Sequence, residues 1–189
     1  EMFFARYMPH NLKLWEQYRN HEIDRQTLIL ERLLYMLRPM GIDDVDFTLK
    51  MNRDFLKRTT RKTRLVPGAI ELLEYLRPFY RMFILSNGFR EVQQLKMENS
   101  GLAPYFDRLI LSEDVGIQKP HREIFDYTLR CTNSRRHESL MIGDSWEADI
   151  EGSYRSKIDQ LWLNPERLPI HGFVPTFNVR SLAEIQGLL

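Results

Sequence analysis

Two stretches, Ser139-Leu140-Met141-Ile142-Gly143-Asp144-Ser145 and Met82-Phe83-Ile84-Leu85-Ser86-Asn87-Gly88, decide how this chain is read. Each is a short, unbroken apolar run that ends in small polar residues, the pattern of a strand covered on both faces and delivered into a loop. Working outward, Ala69 to Leu76, Phe89 to Asn99, Arg122 to Arg130, Trp146 to Arg155 and Ser181 to Leu189 read as helices. Arg108 to Leu111 and Gln160 to Leu163 read as further strands. Strands alternating with helices at this spacing predict a parallel sheet with helices on both faces, a three-layer α/β core of Rossmann-like type. Pro67-Gly68 marks the near edge of that pattern.

Before it the sequence changes character. Leu12, Trp15 and Tyr18 lie at helical spacing after Asn11, a candidate N-cap. Asp24 opens a second segment whose Leu28, Ile29, Leu33, Leu34 and Leu37 share a face until Pro39 and Gly41 close it. A third segment runs from Asp43 or Asp44 through Val45, Leu49 and Leu56. The chain therefore divides into an all-helical unit over 1–64 and an α/β unit over 65–189. Arg53, Lys57, Arg58, Arg61, Lys62 and Arg64 form a basic cluster near the junction. It reads first as a solvated helix end and linker, and in a sharper alternative as a surface that attracts an anion.

Composition narrows the function. The 189 residues carry 27 Lys+Arg against 26 Asp+Glu, a formal charge of +1, which argues against a general nucleic-acid binder. No apolar run reaches the 18 or so residues of a membrane span, and no signal-peptide pattern opens the chain. A single cysteine, Cys131, excludes an internal disulfide framework, and the five histidines show no paired ligand spacing. A soluble, cytoplasmic protein with a small-molecule substrate is expected. The chain starts Glu1-Met2-Phe3-Phe4-Ala5 without an initiator at position 1, so an upstream segment is expected as well.

In an open parallel sheet, ligands bind beyond the carboxyl ends of the strands. Three groups fall at such places. Ser86, Asn87 and Gly88 offer a hydroxyl, an amide and a tight turn able to bind an anionic oxygen, although the same tripeptide also makes ordinary turns. Asp144 follows its strand through Gly143, and Asp149 comes five residues later. One or two carboxylates completed by waters and phosphate oxygens suit Mg2+, while Asp144 by itself also suits a helix N-cap. Lys119 precedes Pro120 at a helix start, where a cation is misplaced unless an anion or carboxylates neutralise it; alone it is also read as an exposed loop lysine.

Together these residues resemble the haloacid dehalogenase superfamily of aspartate-nucleophile hydrolases. The strand ending in Ser86 matches its second motif, Lys119-Pro120 its third, and Gly143-Asp144 with Asp149 its fourth. The helices before Pro67 look like the helical cap of that family, which would select the leaving group through residues such as Trp15, Tyr18 or the basic cluster. Leu65-Val66-Pro67-Gly68-Ala69, Ser86-Asn87-Gly88-Phe89, Leu111-Ser112-Glu113-Asp114-Val115-Gly116 and Trp162-Leu163-Asn164 are most similar to the house-cleaning pyrimidine 5′-nucleotidases. Two positions depart from that branch, His121-Arg122 after the third motif and Ser156-Lys157 after the fourth.

The resemblance implies a magnesium-dependent phosphomonoesterase, acting through an aspartyl-phosphate on nucleoside 5′-monophosphates. Asp144 and Asp149 would serve the metal, Ser86, Lys119 and Asp144 catalysis, and Ser86, Asn87, Gly88 and Lys119 the phosphate. The family's first motif, Asp-x-Asp at the end of the central strand, has no counterpart here. Asp44-Val45-Asp46 sits at a predicted helix start and follows no apolar strand. That central strand would lie between the Met82 and Leu140 strands, so a gap is expected in the sheet. A catalytically inactive binding protein of the same fold and a phosphatase of another small ester, such as a sugar phosphate, are the alternative functions.

Overall fold

The structure is a computed structural model that describes residues 2–189; Glu1, from which the upstream extension is expected, lies outside them. It divides into two compact units, residues 1–62 and residues 63–189. No helix among the described residues is long and apolar enough to cross a membrane.

The first unit is helical. Helix α1 spans Met2–Arg19, α2 Arg25–Leu37 and α3 Val45–Thr59. Asn11 does not cap α1 as its residue type suggests. The helix runs through it and through Pro9, and the Asn11 side chain accepts a hydrogen bond from the Tyr7 hydroxyl at 3.4 Å. The other two starts follow the sequence signals. Asp24 accepts from the Thr27 N–H at 2.7 Å and Asp44 from the Phe47 N–H at 2.9 Å, each satisfying a donor that the helix leaves open. Asp44 is thus a helix cap, as its position after a non-strand segment predicts. Leu28, Leu33, Leu34, Met36 and Leu37 bury the apolar face of α2, and Gly41 ends the turn beyond it at a φ of 78°. One charge is buried with them: Arg32 donates to the Asn52 side-chain oxygen, and desolvation holds its pKa below the usual guanidinium value.

The second unit is α/β. Helix α4 spans Ala69–Leu76, strand β1 Phe83–Ser86, α5 Arg90–Asn99, β2 Arg108–Leu111, α6 Arg122–Thr132, β3 Leu140–Gly143, α7 Gly152–Arg155, β4 Asp159–Leu163 and β5 Phe177–Val179. All the ladders are parallel, Ser86 lying opposite Leu111, Gly143 opposite Trp162 and Leu163 opposite Val179. Side chains alternate between two apolar layers, as period-two strands require. Leu140 and Ile142 join Leu72, Leu76, Leu161, Val179 and Ile185 on one face. Met141 and Leu85 join Ile124, Phe125, Leu129 and Ile158 on the other. That is the three-layer core expected from the sequence.

The strands form two sheets, β1-β2 and β3-β4-β5. The division falls between the Met82 and Leu140 strands, where the gap was expected. Although both are apolar, every residue of β1 and β3 is only half-buried. β4, which has a partner on each side, buries its centre.

Three elements differ from the reading of the sequence. Residues Trp146–Glu151 form a π-helical turn before α7 rather than regular helix, with the Ile150 N–H donating to the Ser145 carbonyl at 3.2 Å. Such turns re-aim side chains near functional sites. The final segment is a 3-10 helix over Leu182–Gly187. β5 is three residues long, too short for alternation to be visible in sequence.

Candidate active site

Two loops leave the carboxyl ends of β1 and β3, and a third brings Lys119 to them. Lys119 is buried at 8% exposure. Its ammonium donates to the Leu85 carbonyl at 2.7 Å and to Asp149 Oδ1 at 2.6 Å. An ammonium at this depth is costly unless a carboxylate and further acceptors meet it, and both are present. The other Asp149 oxygen accepts the Ser145 N–H at 3.2 Å. Asp149 is therefore turned back from the π-helical turn to lie against Gly143. A Cβ at residue 143 would stand 2.4 Å from Asp149 Oδ2, which explains the glycine that precedes Asp144.

Asp144 itself is exposed, and the described hydrogen bonds and ion pairs leave its carboxylate unengaged. Its carbonyl is fixed by the Trp162 indole N–H at 3.1 Å. Trp162 is almost fully buried, with Trp146 edge-on to it at 4.7 Å. The helix-cap role that Asp144 could have played belongs to Ser145, whose hydroxyl oxygen accepts the Ala148 N–H at 3.2 Å.

At the end of β1, the Ser86 hydroxyl oxygen accepts the Gly88 N–H at 3.0 Å. That orients the hydroxyl so that its own proton is free to donate outward. The Asn87 amide turns to the Lys119 backbone, donating to its carbonyl and accepting from its N–H, both at 2.9 Å. Hydrogen bonds thus join Asn87, Lys119 and Asp149, while Ser86 and Asp144 adjoin this set through the chain, next to Asn87 and Ser145. Gly88 sits under Gln93, whose amide nitrogen is 2.1 Å from where a Cβ would be.

Sequence reasoning missed Trp162, Ser145 and Gln93 as parts of this arrangement. Trp162 lies near the end of β4, opposite Gly143, and that placement was the one available signal; the other two carried none.

The donor set suits a hard cation. Asp144 offers free carboxylate oxygens, and waters with a phosphate oxygen would complete an octahedral shell for magnesium. Among the described residues, no three of His, Cys, Asp and Glu come together, so an all-protein metal cage is not formed.

Comparison with known proteins shows the family. A profile of haloacid dehalogenase-like hydrolases matches residues 13–163. The pyrimidine 5′-nucleotidase YjjG of Escherichia coli is 35% identical over 188 residues, covering 98% of this chain and 82% of the relative. The pyrimidine 5′-nucleotidase PynA of Streptococcus pneumoniae is 30% identical, covering 97% of this chain and 78% of that protein. Among solved structures, the magnesium-bound HAD-hydrolase YfnB of Bacillus subtilis superposes with a TM-score of 0.90 at 27% identity, covering all of this chain and 82% of that one.

Proposed function

Since this chain belongs to the haloacid dehalogenase-like hydrolases, we propose that it is a magnesium-dependent phosphomonoesterase acting on nucleoside 5′-monophosphates. The observation that carries the reading is the pairing of two differently treated charges on neighbouring loops. The Lys119 ammonium is held between Leu85 and Asp149, while the Asp144 carboxylate, on the loop that leads to Asp149, is left open. Phosphoryl transfer depends on placing positive charge where the phosphoryl oxygens develop negative charge, and this arrangement supplies one such charge and a seat for another. The nucleotide class is supported by the two pyrimidine 5′-nucleotidases among its relatives.

In this account Ser86 donates its hydroxyl proton to a phosphoryl oxygen and Lys119 neutralises both the phosphoryl group and the nucleophile. Asp144 holds magnesium; Asp149, expected from the sequence to serve the metal, instead fixes Lys119, its two oxygens accepting from the Lys119 ammonium and the Ser145 N–H. Magnesium, when bound, neutralises phosphate charge and orients the ester. The nucleophile is an aspartate on an extended segment that pairs with the free edges of β1 and β3. It attacks phosphorus, the nucleoside oxygen leaves, and water hydrolyses the resulting aspartyl-phosphate. Two observations support that placement: β1 pairs only with β2 and β3 only with β4 among the described residues, and Lys119 joins the end of β1 to the π-helical turn that follows β3.

The test is phosphate release by the natural full-length protein, with magnesium, from a panel of pyrimidine and purine 5′-monophosphates and sugar phosphates. Highest kcat/KM for a 5′-monophosphate is expected. Preference for sugar phosphates would overturn the nucleotide assignment alone, and failure to hydrolyse any ester would overturn the phosphatase reading in favour of a binding protein.

A further inference from the structure

The resemblance places Asn87 at the phosphate, yet its amide is occupied elsewhere. Both ends of that amide meet one residue 32 positions away: the nitrogen donates to the Lys119 carbonyl and the oxygen accepts from the Lys119 N–H, each at 2.9 Å. A single side chain therefore satisfies the donor and the acceptor of one peptide residue, as a neighbouring strand would. The same device recurs after β4, where the Asn164 amide donates to the Leu168 carbonyl at 3.0 Å and accepts from the Leu168 N–H at 2.8 Å. There it closes a loop on itself. At Asn87 it joins the end of β1 to the loop that carries the catalytic ammonium.

Lys119 is consequently held twice by the β1 end, by its backbone through Asn87 and by its ammonium through the Leu85 carbonyl. Neither hold is redundant. A lysine side chain has four rotatable bonds, so an anchored ammonium with a loose backbone, or the reverse, still leaves the charge free to wander. We infer that Asn87 is a positioning residue for Lys119, setting the backbone from which the ammonium reaches the phosphoryl group, and is not itself a ligand of the substrate. The inference rests on the phosphatase reading above.

Asparagine is specified by this role. Aspartate keeps an acceptor for the Lys119 N–H but has no donor for the Lys119 carbonyl, and alanine has neither. A substrate ligand at this position would instead show itself through KM.

The experiment uses the full-length protein with Asn87→Ala and Asn87→Asp, alone and combined with Lys119→Met, and three readouts. Asn87→Ala is expected to lower kcat roughly 10²-fold with little change in KM, because a displaced catalytic group costs about that much. Once Lys119 has become methionine, the same change is expected to cost less than about twofold, because a positioning residue has nothing left to position. Amide hydrogen exchange at residue 119 is expected to accelerate in Asn87→Ala and to stay protected in Asn87→Asp. A raised KM with unchanged kcat, additive losses in the double variant, or unchanged exchange at Lys119 would each overturn the inference. Absence of phosphatase activity in the unaltered protein would overturn the proposed function instead, and the exchange measurement still decides whether Asn87 holds Lys119. Should Asn87→Ala unfold, Asn87→Asp carries the kinetic test: lowered kcat supports the inference and full turnover refutes it.

Discussion

Replacing Lys119 with methionine removes one member of a buried ion pair and strands the other. The ammonium and the Asp149 carboxylate lie 2.6 Å apart with side chains only 9% and 8% exposed. Without the ammonium, Asp149 keeps the Ser145 N–H as its one described donor, in a site too closed for water to replace the missing charge. Breaking such a pair from one side costs about 3–5 kcal/mol, whereas removing both charges together often costs little. For a chain of this size a loss of that order lowers the melting temperature by roughly 10 °C. Lys119→Met/Asp149→Leu is therefore expected to recover most of what Lys119→Met loses, and Asp149→Leu alone to be as damaging as Lys119→Met. Urea denaturation of the three variants beside the parent protein measures these differences directly. A loss below about 1 kcal/mol in Lys119→Met, the value of a solvated surface pair, would refute the reasoning.

Other expectations follow from the same geometry. Gly143→Ala is expected to break the Lys119 anchor, because its Cβ would meet Asp149 Oδ2 at 2.4 Å, whereas Gly88→Ala only displaces the free end of Gln93 and costs little; melting temperatures of the two variants check the ranking. Asp44→Ala is expected to cost about 1 kcal/mol as a lost N-cap while leaving kcat unchanged, since Asp44 caps a helix and is not the family's Asp-x-Asp motif. The Asp24 carboxyl is held below its ordinary value of 3.8, chiefly by the Thr27 backbone N–H. A depressed folded-state pKa contributes stability that is present above the unfolded value and lost as pH falls through the folded one, so the start of α2 is expected to loosen only in strong acid. The Thr27 amide shift followed by NMR against pH reports it, and loosening near neutral pH would contradict it.

Much of this was legible before any coordinates. Residues 82–85 and 140–142 are apolar without alternation, which is a strong signal, since few contexts other than a strand covered on both faces accept such a run before a Ser-Asn or Gly-Asp loop. The cap residues Asp24 and Asp44 were legible because capping is local chemistry. Asn11 misled for the same reason in reverse: its type favours a cap, but α1 continues through it and Tyr7 takes its side chain. The π-helical turn at Trp146–Glu151 was not visible, because the apolar spacing that suggests a helix does not separate one i→i+5 turn from regular helix. The role of Asn87 was hidden for a different reason. Its partner is 32 residues away, and no pattern within either loop reveals that the two loops meet.

The central claim is that Asp144 seats the magnesium on which phosphate release depends. The most direct test is the rate of phosphate release from a nucleoside 5′-monophosphate by the full-length protein and by Asp144→Ala, titrated with magnesium and after its removal by chelation. Asp144 is exposed and its carboxylate bears none of the described hydrogen bonds, so Asp144→Ala is expected to fold with nearly unchanged stability. The account predicts that turnover in the parent protein disappears on chelation and returns with added magnesium, and that Asp144→Ala is inactive at every magnesium concentration. Full turnover by Asp144→Ala, with the magnesium dependence of the parent, would contradict it.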